Sequence, residues 1–332
     1  MEIKNGFDYL KNDESLNRNG IKKVFVFDAD TNKLFSPSAK ELGLSGSFFC
    51  TLRGGEEGKT LSEAAKLYEF LKNNDFCRTD AIVAVGGGVV TDIAGFVAMT
   101  YMRGCRFVSV PTTLLGMIDA AFGGKNGVNA FGLKNLIGGY YQPEKVIINT
   151  EFLKTLPEIE MKNGLCEMIK YDMISTEVFA GEFLRSPENI GEIIEKAAKY
   201  KISVVKNDPL DVGRRHILNF GHTVGHAVEE FTEVKIPHGI AVAAGMKVEV
   251  RLSAFFGKPV ENRAKNLDFL LDSLNIELPE VDLIAASRFI KNDKKAEGNN
   301  IRAVFVSDDK EAEVISVSLD DYISAVRFVC GG

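Results

Sequence analysis

Asp80 leads into the apolar run Ala81-Ile82-Val83-Ala84-Val85, three consecutive glycines follow at 86–88, and a helical stretch extends from Val89 to Met99. An uninterrupted apolar run of this kind suits a strand buried on both faces, as strands of parallel sheets are. The glycines let the chain pass from that strand into a helix, and the helix supplies the crossover that a parallel neighbour needs. Three further segments read as strands: Lys23 to Asp28, Arg106 to Val110 closed by Pro111, and Lys145 to Ile148. Thr60-Leu61-Ser62-Glu63 has capping-box spacing and opens a helix with Leu61, Ala65, Tyr68 and Leu71 on one face. Alternation of this type predicts an α/β domain with a parallel sheet.

The texture changes near Thr155-Leu156-Pro157. Beyond it the periodicity is mainly helical, with Ile193, Ala197, Tyr200 and Val204 on one helix face. Only Ile301 to Val306 and Glu313 to Val317 read as strands there. The expected organisation is an α/β domain over residues 1–156 followed by a mostly α-helical domain over 157–332. Two domains agree with the length of 332 residues at ~150 residues each.

Composition excludes several classes of function. With 45% apolar and 26% charged residues the chain is a globular mixture and not a disordered one. A net charge of −6 gives no nucleic-acid signature, so an anionic ligand must be drawn by a local cationic pocket. No apolar run approaches the ~20 residues of a membrane span, and the N-terminus lacks the apolar core of a signal peptide. Cys50, Cys77, Cys105, Cys166 and Cys330 are scattered and form no C-x-x-C pair. They read as reduced, mostly buried thiols of a cytoplasmic protein.

Four segments could carry chemistry. Gly86-Gly87-Gly88 after a buried strand brings backbone N–H groups and a helix N-terminus close to a phosphate or dinucleotide, although the spacing is not G-x-G-x-x-G. Thr112-Thr113 at another strand end could bond a ribose or phosphate, or cap a helix. Gly123-Gly124-Lys125-Asn126 and Lys134-Asn135 read as a flexible loop presenting lysine to an anion, without P-loop spacing. All four histidines, His216, His222, His226 and His238, fall within one stretch, and His222 and His226 share a helix face. Two imidazoles so placed can share a metal, whose third ligand would be a carboxylate such as Glu167 on an otherwise apolar helix. The H-E-x-x-H form is absent. Arg214-Arg215 lies just upstream, and Lys201 and Lys294 are further cations. Arginine suits planar carboxylates and phosphates.

In order along the chain, these segments resemble the 3-dehydroquinate synthase family. The resemblance runs from Asp28 to Lys295. It rests on Gly86-Gly87-Gly88-Val89-Val90 with Asp92, Arg103-Gly104, Pro111-Thr112-Thr113-Leu114-Leu115, Asp119 and Gly123-Gly124-Lys125. It continues through Lys134-Asn135-Leu136-Ile137-Gly138, Glu167-Met168-Ile169-Lys170-Tyr171, Leu218-Asn219-Phe220-Gly221-His222-Thr223-Val224-Gly225-His226, Pro237-His238-Gly239 and Asp293-Lys294-Lys295.

The resemblance implies a dehydroquinate synthase-like fold, a first domain that binds NAD and a second that binds metal and substrate. Glu167, His222 and His238 would be ligands of a divalent metal, zinc or cobalt. Asp28, Glu56, Lys59, Gly87, Gly88, Val89, Asp92, Thr112, Thr113, Leu115, Lys125, Lys134, Phe152 and Thr155 would contact NAD. Lys125, Asn135, Lys170, Arg215, Asn219 and His226 would be catalytic. Asp119, Lys134, Lys201, Asp211 and Lys294 would bind substrate, as would Arg103, donated by the second subunit of a homodimer. The implied reaction takes 3-deoxy-D-arabino-heptulosonate 7-phosphate to 3-dehydroquinate and phosphate in the shikimate pathway. It runs through NAD-mediated transient oxidation, β-elimination, reduction, ring opening and aldol closure. The chain departs from the family pattern at Asp211, where Glu is usual, at Thr91 and Leu133, where Gly is usual, and at Asp30, where a polar amide is common. Another NAD- and metal-dependent sugar-phosphate cyclase, a metal-dependent polyol dehydrogenase and a non-enzymatic binding module are the competing readings. Arg215, Lys201 and Asn135 argue against the first, net NAD reduction would mark the second, and the third leaves the metal triad to chance.

Overall fold

Residues 2–5, 17, 20–34, 47–233, 235–292, 296–297 and 299–331 are described by a computed structural model. Contacts divide the chain into two units, Met1–Leu156 and Pro157–Gly332. The first unit contains β1 (Glu2–Asn5), β2 (Lys23–Phe27), β3 (Ser47–Thr51), α1 (Leu61–Asn73), β4 (Ala81–Gly86), α2 (Gly88–Thr100), β5 (Arg106–Pro111), β6 (Lys125–Ala130), β7 (Leu133–Tyr140) and β8 (Lys145–Ile148). Six of these strands form one sheet in the order β1-β8-β5-β4-β2-β3. Every pairing in it is parallel.

The apolar run lies inside that sheet as β4, with all six residues buried. Val83 stands in register between Phe25 of β2 and Val108 of β5. Leu67 and Leu71 of α1 and Ile93 and Val97 of α2 pack with Val24, Ile82 and Ala84 in one core cluster. The chain moves outward from β2 to β3 and in the opposite direction from β4 to β5. The carboxyl ends of β2 and β4 therefore flank the switch point where open α/β sheets bind ligands.

Two local expectations are corrected. Helix α1 buries Ala64, Leu67 and Leu71, whereas Leu61 and Ala65 are exposed. Two apolar stripes overlap on this helix, and packing on the sheet selects the one containing Ala64. Thr60 does accept from the Glu63 N–H, but the Glu63 carboxylate turns to the Arg53 N–H at 2.8 Å, so the capping box is not reciprocal. The lysine-bearing segment expected to be a flexible loop is instead the antiparallel hairpin β6–β7. Gly127 and Gly138 face each other there, and a Cβ on Gly138 would stand 2.2 Å from the Asn126 carbonyl oxygen. Close backbone approach explains why a strand here carries so little β-propensity.

The second unit contains α3 (Glu158–Ile174), α4 (Ala180–Arg185), α5 (Ile190–Asn207), α6 (His222–Phe231), α7 (His238–Phe255), α8 (Glu261–Ser273), α9 (Leu283–Ala286), β9 (Ala296–Glu297), β10 (Asn300–Ser307), β11 (Lys310–Ser318) and α10 (Leu319–Gly331). The strands form an antiparallel sheet, β11-β10-β9. Val224, Val228, Ala241, Val248, Phe305 and Tyr322 are part of its core. Helices α6 and α7 touch through glycine. A Cβ on Gly245 would come 2.0 Å from the Gly221 carbonyl oxygen, and one on Gly225 would come 3.0 Å from Val242 Cα. Among the described residues, no helix is long and apolar enough to cross a membrane.

Candidate active site

In the first unit the candidate residues gather at the carboxyl ends of the sheet strands. Gly86 is needed for packing, because a Cβ there would collide with Val90 at 2.7 Å. Gly88 is different: its Cβ would meet only Ala120, at 3.9 Å. The protein thus leaves space in front of the α2 N-terminus, where no side chain caps the first turn. Unsatisfied N–H groups beside open space form an anion cradle, and the residues fit the pyrophosphate of a dinucleotide. Thr91 is accommodated by hydrogen bonds from its hydroxyl to the carbonyls of Gly87 and Gly88.

Around the cradle, Asp28 follows β2, and its Oδ1 accepts from the Thr31 N–H and hydroxyl. Thr113 is the cap that its spacing allowed, accepting from the Gly116 N–H at 3.0 Å, while Thr112 is buried beside it. Asp119 lies in a single π-helical turn, Gly116–Ala120, a form frequent at functional sites. Lys59 and Asp92 form an ion pair with Lys59 buried. Glu56 holds Asn129 at 2.8 Å, and Asn129 in turn accepts from the Asn135 N–H, which fixes the hairpin bearing Lys125, Lys134 and Asn135. Phe152 is buried and accepts from the Thr155 hydroxyl. Arg103 is exposed at positive φ, directly after Met102, which is also at positive φ.

In the second unit the site is made of buried charge. Glu167, expected on a helix, is 1% exposed on α3 and paired with Lys170, also 1% exposed. Its Oε1 is buried without a hydrogen-bond partner. That oxygen faces His222 Nε2 at 3.6 Å and His238 Nε2 at 3.7 Å. The three ligand atoms lie within 4.8 Å of one another. An orphaned anionic oxygen aimed at two imidazole nitrogens fits one divalent cation. His222 Nδ1 lies 3.1 Å from the Phe220 carbonyl, so it donates there and Nε2 keeps its lone pair for a metal.

Helix starts place the two histidines. Gly221, at φ 79°, turns the chain into α6 so that His222 opens it. Pro237 precedes His238, the first residue of α7. The Asn163 side chain of α3 accepts from the Gly239 N–H and ties that start to the helix of Glu167. His226 is exposed, with ring centroids 5.5 Å from His222 and 5.9 Å from His238. His216 is the fourth histidine of the stretch, but its Nδ1 faces Asp211 at 2.7 Å and its Nε2 faces Arg302 at 3.4 Å.

Arg215 and Lys201 are buried. The turn Arg214–Asn219, which also carries Asn219, packs against α3 and α5. Asp208 builds the approach to that turn by accepting from the N–H groups of Val212, Gly213 and Arg215. Burial works against its ionisation, yet those three donors hold its carboxyl below the usual range. Arg214 instead pairs with Glu311 at the surface. Lys294 and Lys295 lie outside the described residues.

The 3-dehydroquinate synthase N-terminal family matches residues 49–163, and the 3-dehydroquinate synthase C-terminal family matches residues 164–296. The chain belongs to the 3-dehydroquinate synthase family. A 3-dehydroquinate synthase of Clostridium tetani is 41% identical over 83% of this chain and 76% of its own. One of Dehalococcoides mccartyi is 38% identical over 92% of this chain and 90% of its own. Among solved structures, a 2-deoxy-scyllo-inosose synthase complexed with carbaglucose-6-phosphate, NAD+ and Co2+ is 27% identical, with a TM-score of 0.83 over 98% of this chain and 96% of that one. A 2-epi-5-epi-valiolone synthase from Streptomyces hygroscopicus shares the fold at 22% identity, with a TM-score of 0.87 over 99% of this chain and 96% of that one.

Two buried carboxylates of this 3-dehydroquinate synthase family member escaped the sequence reading. Glu229 is buried on α6 with Oε2 3.5 Å from His238 Nδ1. Glu249 is buried on α7 and holds the N–H groups at the start of α6. The available signal was a glutamate on an otherwise apolar helix stretch, as at Glu167.

Proposed function

We propose that this member of the 3-dehydroquinate synthase family converts 3-deoxy-D-arabino-heptulosonate 7-phosphate into 3-dehydroquinate and phosphate, with NAD in the first unit and a divalent metal in the second. The observation that supports this reading most is the orphaned Glu167 Oε1 facing His222 and His238 within a unit that also buries Lys170, Lys201 and Arg215. Glu167, His222 and His238 would hold zinc or cobalt, and Gly87, Gly88, Val89, Thr112 and Leu115 would receive NAD, with Asp28, Glu56, Lys59 and Asp92 around it. When bound, NAD takes and returns one hydride and the metal polarises a substrate oxygen.

The chain's own residues orient and neutralise. Lys170 neutralises Glu167 and stands ready to face developing negative charge. Arg215 offers a planar fork and Lys201 a point charge, together suited to the substrate carboxylate. Lys125, Asn135, His226 and a partner-donated Arg103 would take the phosphate, which implies a homodimer. Asp211 would reach a ring hydroxyl from the Asp211–His216 pair. The five free thiols suit a cytoplasmic setting.

A phosphate-release assay on the heptulosonate phosphate tests the reading. Expected are continuous phosphate release with catalytic NAD, no growing NADH absorbance, and little turnover of sedoheptulose 7-phosphate or glucose 6-phosphate. Preference for either of these sugar phosphates, which lack the carboxylate, overturns the substrate assignment, and stoichiometric NADH overturns the cyclase assignment.

A further inference from the structure

Glu249 lies on α7, eleven residues after His238, and is 2% exposed. Its Oε2 accepts from the Gly221 N–H at 2.7 Å, and its Oε1 accepts from the Val224 N–H at 3.3 Å. The Gly221 N–H belongs to the same peptide group as the Phe220 carbonyl, which accepts from His222 Nδ1 at 3.1 Å. A single peptide plane therefore stands between a buried carboxylate and a buried imidazole, hydrogen-bonded to both. That plane has little freedom. Gly221 sits at φ 79°, and a Cβ there would come 2.5 Å from Met246 Cγ and 2.7 Å from the Val242 carbonyl oxygen.

We infer that Glu249 is a positioning residue that acts on His222 through the Phe220–Gly221 peptide. This rests on the metal reading above. Metal-bound histidines usually donate their second N–H to a carboxylate or carbonyl, which sets the tautomer and raises ligand basicity. Beside His238 a carboxylate stands on the same side as its Nδ1, with Glu229 Oε2 at 3.5 Å. His222 has its carboxylate one peptide removed. An anion on the peptide N–H polarises the peptide and strengthens its carbonyl as an acceptor, because hydrogen bonds in series reinforce one another at low dielectric. The same carboxylate satisfies two of the N–H groups that every helix start leaves open. His222 is thereby held with its proton on Nδ1 and its lone pair free for the cation position it shares with Glu167 and His238.

The test uses the full-length protein and the Glu249→Gln variant, with zinc and cobalt as the probes. The amide keeps the size of the side chain and loses its charge and one acceptor. Expected is a folded variant whose zinc affinity falls about 10- to 100-fold, as for other residues that support ligands from behind, and whose cobalt absorption spectrum differs from that of the wild type. A purely structural role would lower the unfolding temperature and leave both readouts of the folded protein unchanged, and that result overturns the proposal. If the variant does not fold, nitrogen NMR of the metal-free wild type decides: a proton on His222 Nδ1 supports the relay, and an Nδ1 without a proton overturns it. Wild-type protein that takes up neither metal sinks the metal reading itself, and the same tautomer measurement then decides the relay separately.

Discussion

The two units build their candidate sites from different materials. In the first, the chemistry is backbone: glycines and open N–H groups at strand ends of a parallel sheet, with Gly88 leaving room where a side chain would stand. Among the described residues, Lys23, Lys59 and Asp80 are its buried charged residues. In the second, the chemistry is side-chain charge: Glu167, Lys170, Asp172, Lys201, Asp208, Arg215, His222, Glu229 and Glu249 are all buried. A backbone cradle asks for local geometry and costs little desolvation. A charged site needs each ion neutralised or hydrogen-bonded by another part of the fold, because an unpaired buried ion is far more costly. The first kind of site is therefore written in consecutive residues, and the second in residues tens of positions apart.

The sharpest break of this contrast is at His222. His222→Ala should lose the metal by elemental analysis and lower phosphate release by about a thousand-fold, the equivalent of several kcal/mol of charge stabilisation. His226→Ala should keep the metal and lose activity. If His222→Ala retains stoichiometric metal, the second unit is not built around this triad.

Next comes Lys170. Lys170→Met leaves Glu167 as a buried, uncompensated carboxylate and should destabilise the protein by about 3–5 kcal/mol in denaturant unfolding. Saturating zinc should restore part of that loss, since a cation replaces the missing charge. No recovery with zinc would separate Glu167 from metal binding.

The first unit is tested by a pair of glycines. Gly86→Ala places a Cβ 2.7 Å from Val90 and should cost about 1–3 kcal/mol from overpacking. Gly88→Ala meets nothing closer than 3.9 Å and should leave the unfolding temperature unchanged or raised. Its NAD affinity should fall by about ten-fold or more, roughly 1.4 kcal/mol, as read by titration calorimetry. A Gly88→Ala variant with wild-type NAD affinity would mean that the space is not a cofactor cradle.

The smallest effect is a pH slope at Asp172. Burial raises its carboxyl from the ordinary 3.8 to about 6, against the backbone N–H bonds from Phe179, Gly181 and Ala180 that lower it. The folded state thus binds a proton that the unfolded state lacks between those values. This group's stability contribution grows as pH falls through about 6 and is absent well above it. Between pH 7.5 and 5.5 the wild type should gain about 1 kcal/mol relative to Asp172→Asn. Parallel curves for the two proteins would place the carboxyl at its ordinary value.

Legibility followed the same division. The strand and glycine turn of the first unit, the helix after them and the histidine pair on one helix face are periodic or contiguous, so local sequence displays them. Helix α1 shows the limit of periodicity, since Leu61 and Ala64 begin two overlapping stripes and only the sheet beneath chose between them. The β6–β7 hairpin was hidden because glycines facing each other across the ladder carry no strand propensity. Four histidines in one stretch suggested one cluster, yet His216 turns to Asp211, because sequence proximity does not set side-chain direction.

The amino-acid sequence by itself determined a parallel α/β unit, a helical unit and the residue types for a dinucleotide cradle and a metal. Short-range geometry carries all of that: strand burial, helix period and the backbone freedom of glycine. Only the tertiary structure decided that Glu167 Oε1 is left without a hydrogen bond between two imidazoles, and that Glu249 reaches across from α7 to the peptide behind His222. Those facts depend on which buried charges meet, and the close contact of α6 with α7 at Gly221, Gly225 and Gly245 is what brings them together.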